Sequence, residues 1–237
     1  MSDTTGAEPP PPPAPVRLAS REYRDPAGLT RWLKGLLILS FVVDLVAVGS
    51  GVMELAFLQS FADGTLEGDV NTLATANDNR QQAISFVQLA LYAVTAIVFL
   101  IWIYRANRNA RALGAKDMRF TPGWAVGWYF VPIMSLWRPF QAMREIWQAS
   151  AEPGNWQAAR TPPLLGWWWT LFLCAQILAQ IGYQLSKRID GVDSAMTASG
   201  FITASHIASL PLDIVAMLLV VKIAAHQIWQ ARTVEVF

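Results

Sequence analysis

Four apolar blocks, each long enough to cross a bilayer, leave this chain little choice of fold. They cover residues 32–58, 83–104, 164–186 and 201–221. About 20 residues rising about 1.5 Å each span a hydrocarbon core roughly 30 Å thick. Lipid offers no hydrogen bonds, so a crossing segment must satisfy its own backbone, and segments of this length do so as helices. Composition agrees: only 15% of the 237 residues are charged, against about 25% in a typical soluble domain. The expected fold class is all-α, a polytopic membrane bundle of four transmembrane helices within a membrane domain covering 30–232.

The flanking segments differ. Residues 1–29 hold seven of the 14 prolines, five of them consecutive at Pro9 to Pro13, and have no apolar face. They read as a disordered, proline-rich cytosolic tail, with a short second tail at 233–237. The first apolar block starts too late and runs too long for a cleaved secretory signal, so it is expected to stay in the membrane. The third block opens after Pro162 and Pro163 with Trp167, Trp168 and Trp169, an aromatic group suited to the headgroup region.

Lys and Arg set the orientation. Fifteen of the 18 fall before or at the very start of the first block (Lys34), between the second and third, or after the fourth. The positive-inside rule then places both termini in the cytosol of a multi-pass protein of the bacterial inner membrane.

The segment 120–150 is the least regular. Its first part is apolar, but Pro122, Gly123, Gly127 and Pro132 interrupt it, and a fifth span would carry Arg138, Arg144 and Arg160 outside. A cytosolic re-entrant or interfacial segment is the expectation. From Leu136 the spacing Leu136, Phe140, Met143, Trp147 marks one helical face, opposite Gln141, Arg144, Glu145 and Gln148. Such an amphipathic helix lies flat, its apolar side chains buried against acyl chains or against the near ends of the spans.

Several of these stretches resemble a known family. Ile103 to Asn109 (IYRANRN), Phe120 to Trp128 (FTPGWAVGW) and Leu136 to Trp147 (LWRPFQAMREIW) are similar to the bacterial membrane proteins grouped as domain of unknown function 4328, over roughly Trp32 to Arg232. The resemblance implies a multi-span membrane protein and no assigned activity.

Candidate site residues come from charge in unusual places. Asp44 and Asp213 fall near the middle of their blocks, where an ionisable group is costly and is a functional candidate by default. One reading is a proton or cation site, as in a small proton- or cation-linked transporter; the other is two neutral acids bonded to neighbours such as Gln88, Gln176 or Gln180. Glu54 and His206 are expected toward the outer end, as a hydrated pair or the beginnings of a metal or proton site. Arg105, Arg108 and Arg111, with Arg138 and Arg144, could meet anionic headgroups or simply obey the positive-inside rule.

Near-balanced charge, 18 basic against 17 acidic residues, argues against nucleic acid. A single cysteine excludes a disulfide framework within the chain. There is no phosphate-binding glycine loop, paired-histidine zinc motif or nucleophile elbow, so no catalytic residue, metal or cofactor is expected and an enzyme is disfavoured. The expected partners are the lipid bilayer and a membrane or cytosolic protein, in a non-enzymatic interaction or scaffold role; no oligomeric state is implied.

The orientation is testable with a reporter active only outside the cytosol, fused after Thr65, Ala115, Asp193 or the C-terminus. Signal is expected at Thr65 and Asp193 alone. An external C-terminus would mean that 120–137 crosses the membrane.

Overall fold

A computed structural model describes residues 23–235, all helix and connection among the described residues. Four long helices carry the fold: α1 (Ala27–Ala62), α2 (Val70–Ala112), α5 (Pro163–Ser186) and α6 (Val192–Glu235). All four are long and apolar enough to cross a membrane. Between α2 and α5 lie α3 (Pro122–Gly127), a 3-10 turn at Met134–Leu136, α4 (Arg138–Ala151) and a second 3-10 turn at Pro153–Ala158. The segment 120–137 is therefore short turns, not a fifth long helix.

Several boundaries move. Most of the expected proline-rich tail, residues 1–22, lies outside the described residues, but α1 already begins at Ala27 and Arg24 is bonded to Asn109. Helix α2 starts at Val70, well before the apolar block, because Asp69 caps it: its carboxylate accepts from the Thr72 backbone N–H and hydroxyl. Helix α6 runs on to Glu235, into the expected C-terminal tail.

Local chemistry ends each helix where the chain must turn. Gly64 and Gly114 follow α1 and α2 with φ of +66° and +104°. Each lets two backbone N–H groups return to the last turn, Gly64 to Phe61 with Thr65 to Ser60, and Gly114 to Arg111 with Ala115 to Ala110. Prolines in the first turns of α3, α4 and α5 cost nothing, since those N–H groups have no partner within the helix.

Helix α6 is the centre, packed on α1, α4 and α5 and touching α2. The long helices alternate in direction, so both described ends of the chain share one end of the bundle. The core lies toward that end, where Leu33, Trp102, Ile103, Ile146, Trp168, Leu219 and Ile223 interlock. Around the middle, apolar side chains point outward instead, among them Leu45, Val46, Phe86, Leu89, Ile97, Ile177 and Ile214. That inverted pattern suits hydrocarbon surroundings.

Helices α5 and α6 cross closely at Gly182. A methyl group there would stand 2.7 Å from Ile202 Cγ1 and 3.0 Å from the Ile202 backbone nitrogen. Overpacking of this kind costs about 1–3 kcal/mol, more than the up to ~1 kcal/mol that alanine gains over glycine in a helix. Gly182→Ala should therefore lower the unfolding temperature in detergent. Gly166→Ala, with open space around it, should leave it unchanged or raise it slightly. Equal transitions for the two variants would mean that the close crossing does not exist.

Candidate functional site

The buried face of α1 runs through Thr30, Leu33, Leu37, Ala47 and Gly51. Asp44 and Glu54 continue the same alternation of three and four residues, so the two acids sit on the seam that faces α6. On α6 the matching series is Ser199, Thr203, His206, Asp213, Val220 and Gln227. The seams run antiparallel, and three contacts fix their register: Glu54 with Ser199, Gly51 with Thr203, and Asp44 with His206.

Along this seam His206 Nδ1 lies 3.4 Å from Asp44 Oδ1, the two side chains 21% and 18% exposed. Gln88 of α2 completes the group, its Nε2 3.0 Å from Asp44 Oδ1 and 3.1 Å from His206 Nδ1. Hydrogen-bond arithmetic makes this cluster unusual. If the Gln88 amide donates to both neighbours, Nδ1 and Oδ1 face each other as two lone pairs with no hydrogen between them. If Nδ1 carries the proton, Asp44 gains a donor and the Gln88 amide loses an acceptor. Which of these bonds forms is therefore set by the tautomer of His206.

Seven residues and two turns further along α6, Asp213 lies on the same face. Its Oδ2 is buried and, among the described residues, accepts no hydrogen bond. Thr95 Oγ1 of α2 is likewise buried and unpartnered. The pairings Asp44 with Gln88 and Thr30 with Trp102 put Thr95 level with Leu37. The α1–α6 register puts Asp213 at about the same level.

Toward the opposite end, Glu54 joins three helices. The Gln81 amide and the Ser199 hydroxyl donate to its carboxylate, the Ser50 hydroxyl donates to Gln81 Oε1, and Arg80 reaches Ser50 and Asn77. The expected pairing of Glu54 with His206 is therefore corrected: His206 lies about two turns deeper and meets Asp44. Of the three glutamines expected to partner the acids only Gln88 does so, while Gln176 donates to the Tyr92 hydroxyl. Among the described residues no three His, Cys, Asp or Glu side chains group as a metal ion would need.

At the end that holds the termini one set of polar side chains is densely bonded, although the Tyr129 hydroxyl and Arg138 Nε near α4 are buried without a partner among the described residues. Gln227, 0% exposed, accepts from Asn109 and donates to the Ala106 carbonyl and the Ser150 hydroxyl. Asn109 also holds both backbone groups of Arg24. Asn107 donates to the Phe120 carbonyl, and Arg111 donates to Asn107 and to the Met118 and Phe120 carbonyls. Arg111, read as a headgroup contact, thus points inward as a structural brace.

Helix α4 docks against the ends of the spans, the second of its two expected surfaces. Met143 is 1% exposed, Trp147 packs edge-on to His226, and Phe140 is half-buried near Trp169, whereas Leu136 is 53% exposed. The expected polar face needs one correction. Glu145 is buried, and its two oxygens accept the backbone N–H groups of Arg119 and Phe120 at 3.0 and 2.9 Å. Burial pushes its carboxyl up from the usual range, while those two bonds and the Arg111 and Arg119 charges oppose the shift. Of the other arginines, Arg138 lies over the Trp128 ring at 5.4 Å, Arg105 and Arg108 are half-buried, and Arg144 is exposed.

The brace around Glu145 predicts a local effect. Glu145→Ala leaves the buried Phe120 N–H without an acceptor, costing about 1–3 kcal/mol, and frees the part-buried Arg119 N–H, so the connection 114–121 should become protease-sensitive. Arg144→Gln, beside it but exposed, should leave cleavage unchanged. Equal resistance of both variants would show that Glu145 does not hold the connection.

Comparison with known proteins places the chain without naming an activity. No curated protein and no solved structure matches it. One family model matches residues 67–225, two thirds of the chain. That range begins after α1, a shorter reach than the resemblance from Trp32 implied, and it takes in Gln88, Glu145, His206 and Asp213 while leaving Asp44 and Glu54 outside. By this match the chain belongs to the family described as domain of unknown function DUF4328.

Proposed function

We propose that this chain is a multi-pass protein of the bacterial inner membrane, both termini cytosolic, that binds a proton inside its bundle and couples it to transport. The observation that carries this reading is the cluster of Asp44, His206 and Gln88, an acid 3.4 Å from an imidazole between three apolar helices. Charged groups at the centre of a span cost roughly 2.5–3.5 kcal/mol on insertion scales, and those found there mark proton and ion pathways. Asp44 is the proton-binding acid and His206 its exchange partner. Asp213 is the next acceptor toward the cytosol, and Glu54 is the group nearest the outside.

A second reading, an interaction or scaffold role, draws on a different observation. Trp124, Phe130, Ile133, Leu136 and Trp137 are exposed together on the segment 120–137, an apolar surface suited to the membrane interface or a membrane partner.

The two readings part on the intramembrane acids. In vesicles with an entrapped pH dye and an imposed membrane potential, the protein should carry protons inward. Asp44→Asn and Asp213→Asn should each cut that flux by about an order of magnitude or more, with protein content unchanged. Infrared spectra of the same vesicles should contain a carboxyl band that Asp44→Asn removes. Flux equal to protein-free vesicles, or flux and spectra untouched by either substitution, would overturn the proton reading in favour of the second.

A further inference from the structure

A different cleft opens beyond the apolar part of the bundle, independent of the proton cluster. It measures about 250 Å³ and lies between α4 and the end of the connection 114–121, lined by Arg119, Phe120, Gln141, Arg144, Gln148 and Trp156 over Glu145. We propose that this cleft binds a phosphate-bearing anion, with Arg119 and Arg144 as its two principal ligands.

The reasoning starts from how rigidly Arg119 is mounted. Glu145 takes its backbone N–H and that of Phe120, while Arg111 takes the carbonyls of Met118 and Phe120. Two charged side chains, Glu145 buried and Arg111 half-buried, therefore hold the backbone on either side of a residue whose own side chain is exposed. Trp156 closes the other wall, its indole N–H donating to the Lys116 carbonyl at 2.8 Å. On α4, Gln141, Arg144 and Gln148 recur at helical spacing along the face that looks into the cleft. Gln148 is anchored by its amide to the Ala159 carbonyl.

Charge and shape select the ligand class. Both oxygens of Glu145, the acid in the lining, are already taken by backbone N–H groups, leaving two guanidinium groups facing the space. Guanidinium forks match the oxygens of phosphate in pairs. The cleft is smaller than the ~300–1,000 Å³ of pockets for drug-sized ligands, which fits a phosphate headgroup and little more. Depth fits as well. Asn107 bonds the Phe120 carbonyl, and Asn107 is three residues past Tyr104, the last residue of the second apolar block. At about 1.5 Å per residue that places the cleft roughly 5 Å beyond the hydrocarbon, where lipid phosphates lie. A free phosphate or phosphomonoester offers the same oxygens.

Calorimetric titration of the full chain in neutral detergent, with short-chain phosphatidic acid and separately with inorganic phosphate, tests this. Saturable binding of at least one titrant is expected, weakened about tenfold or more by Arg119→Gln and by Arg144→Gln. Lys116→Gln, a nearby exposed charge outside the lining, should leave it unchanged. Arg144→Lys should recover only part of the loss, because it restores charge without the fork. Comparable affinity for both titrants identifies a free phosphate as sufficient; binding of phosphatidic acid alone identifies a lipid headgroup. The proposal is overturned if neither titrant binds, if the arginine variants bind like the unaltered chain, or if Lys116→Gln weakens binding as much as they do. Unchanged thermal unfolding in the arginine variants separates loss of the site from loss of the fold.

Discussion

Helix α6 can touch both α1 and α5 only because glycine occupies each point of closest approach. Gly51 admits Thr203, and Gly182 admits Ile202. In hydrocarbon no hydrophobic force draws one apolar helix to another, so contact between backbones and small side chains must do so. From the Gly51 contact follows the register of α1 on α6, and from that register the meetings of Glu54 with Ser199 and of Asp44 with His206. A larger residue at position 51 would separate the groups on which the proton reading rests, although it carries no chemistry itself.

The molecule contains two buried polar systems of opposite character. At the end with the termini, Asn107, Asn109, Arg111, Glu145 and Gln227 have partners for their functional atoms. A saturated network rigidifies, because any movement would strand a buried group. Among α1, α2 and α6, Asp213 Oδ2 and Thr95 Oγ1 have no partner among the described residues, and near α4 neither do the Tyr129 hydroxyl and Arg138 Nε.

Helix α4 links the base to the surface. Its buried side carries Ala142, Ala149 and Ser150, small enough to let it approach α2 and α6, and Glu145 reaches past them to the connection after α2. The same helix turns Arg144 outward. One element therefore closes the bundle and forms half of a cationic cleft. The aromatic segment before it, with Ile133 at a φ of +66°, holds exposed Trp124 against Trp128, over whose ring Arg138 lies.

Much of this was legible in the primary structure. Four blocks of spanning length, separated by polar or proline-broken connections, dictate four long helices, since hydrocarbon permits no other backbone for segments of that length. The acids at 44 and 213 declared themselves as anomalies for the same reason. Their partners did not. Sequence alone suggests Glu54 as a partner for His206 because depth can be estimated along one helix, whereas the rotation and offset between two helices depend on where glycine permits contact. Glu145 and Arg111 looked like solvated charges, since spacing within α4 and α2 says nothing of the connection that would fold over them. The chain by itself determined its helices, their number and their unusual charges, because those follow from local composition and the surrounding solvent. Only the tertiary structure decided which charges meet and which are braces, because that is set by close approach between segments far apart in sequence.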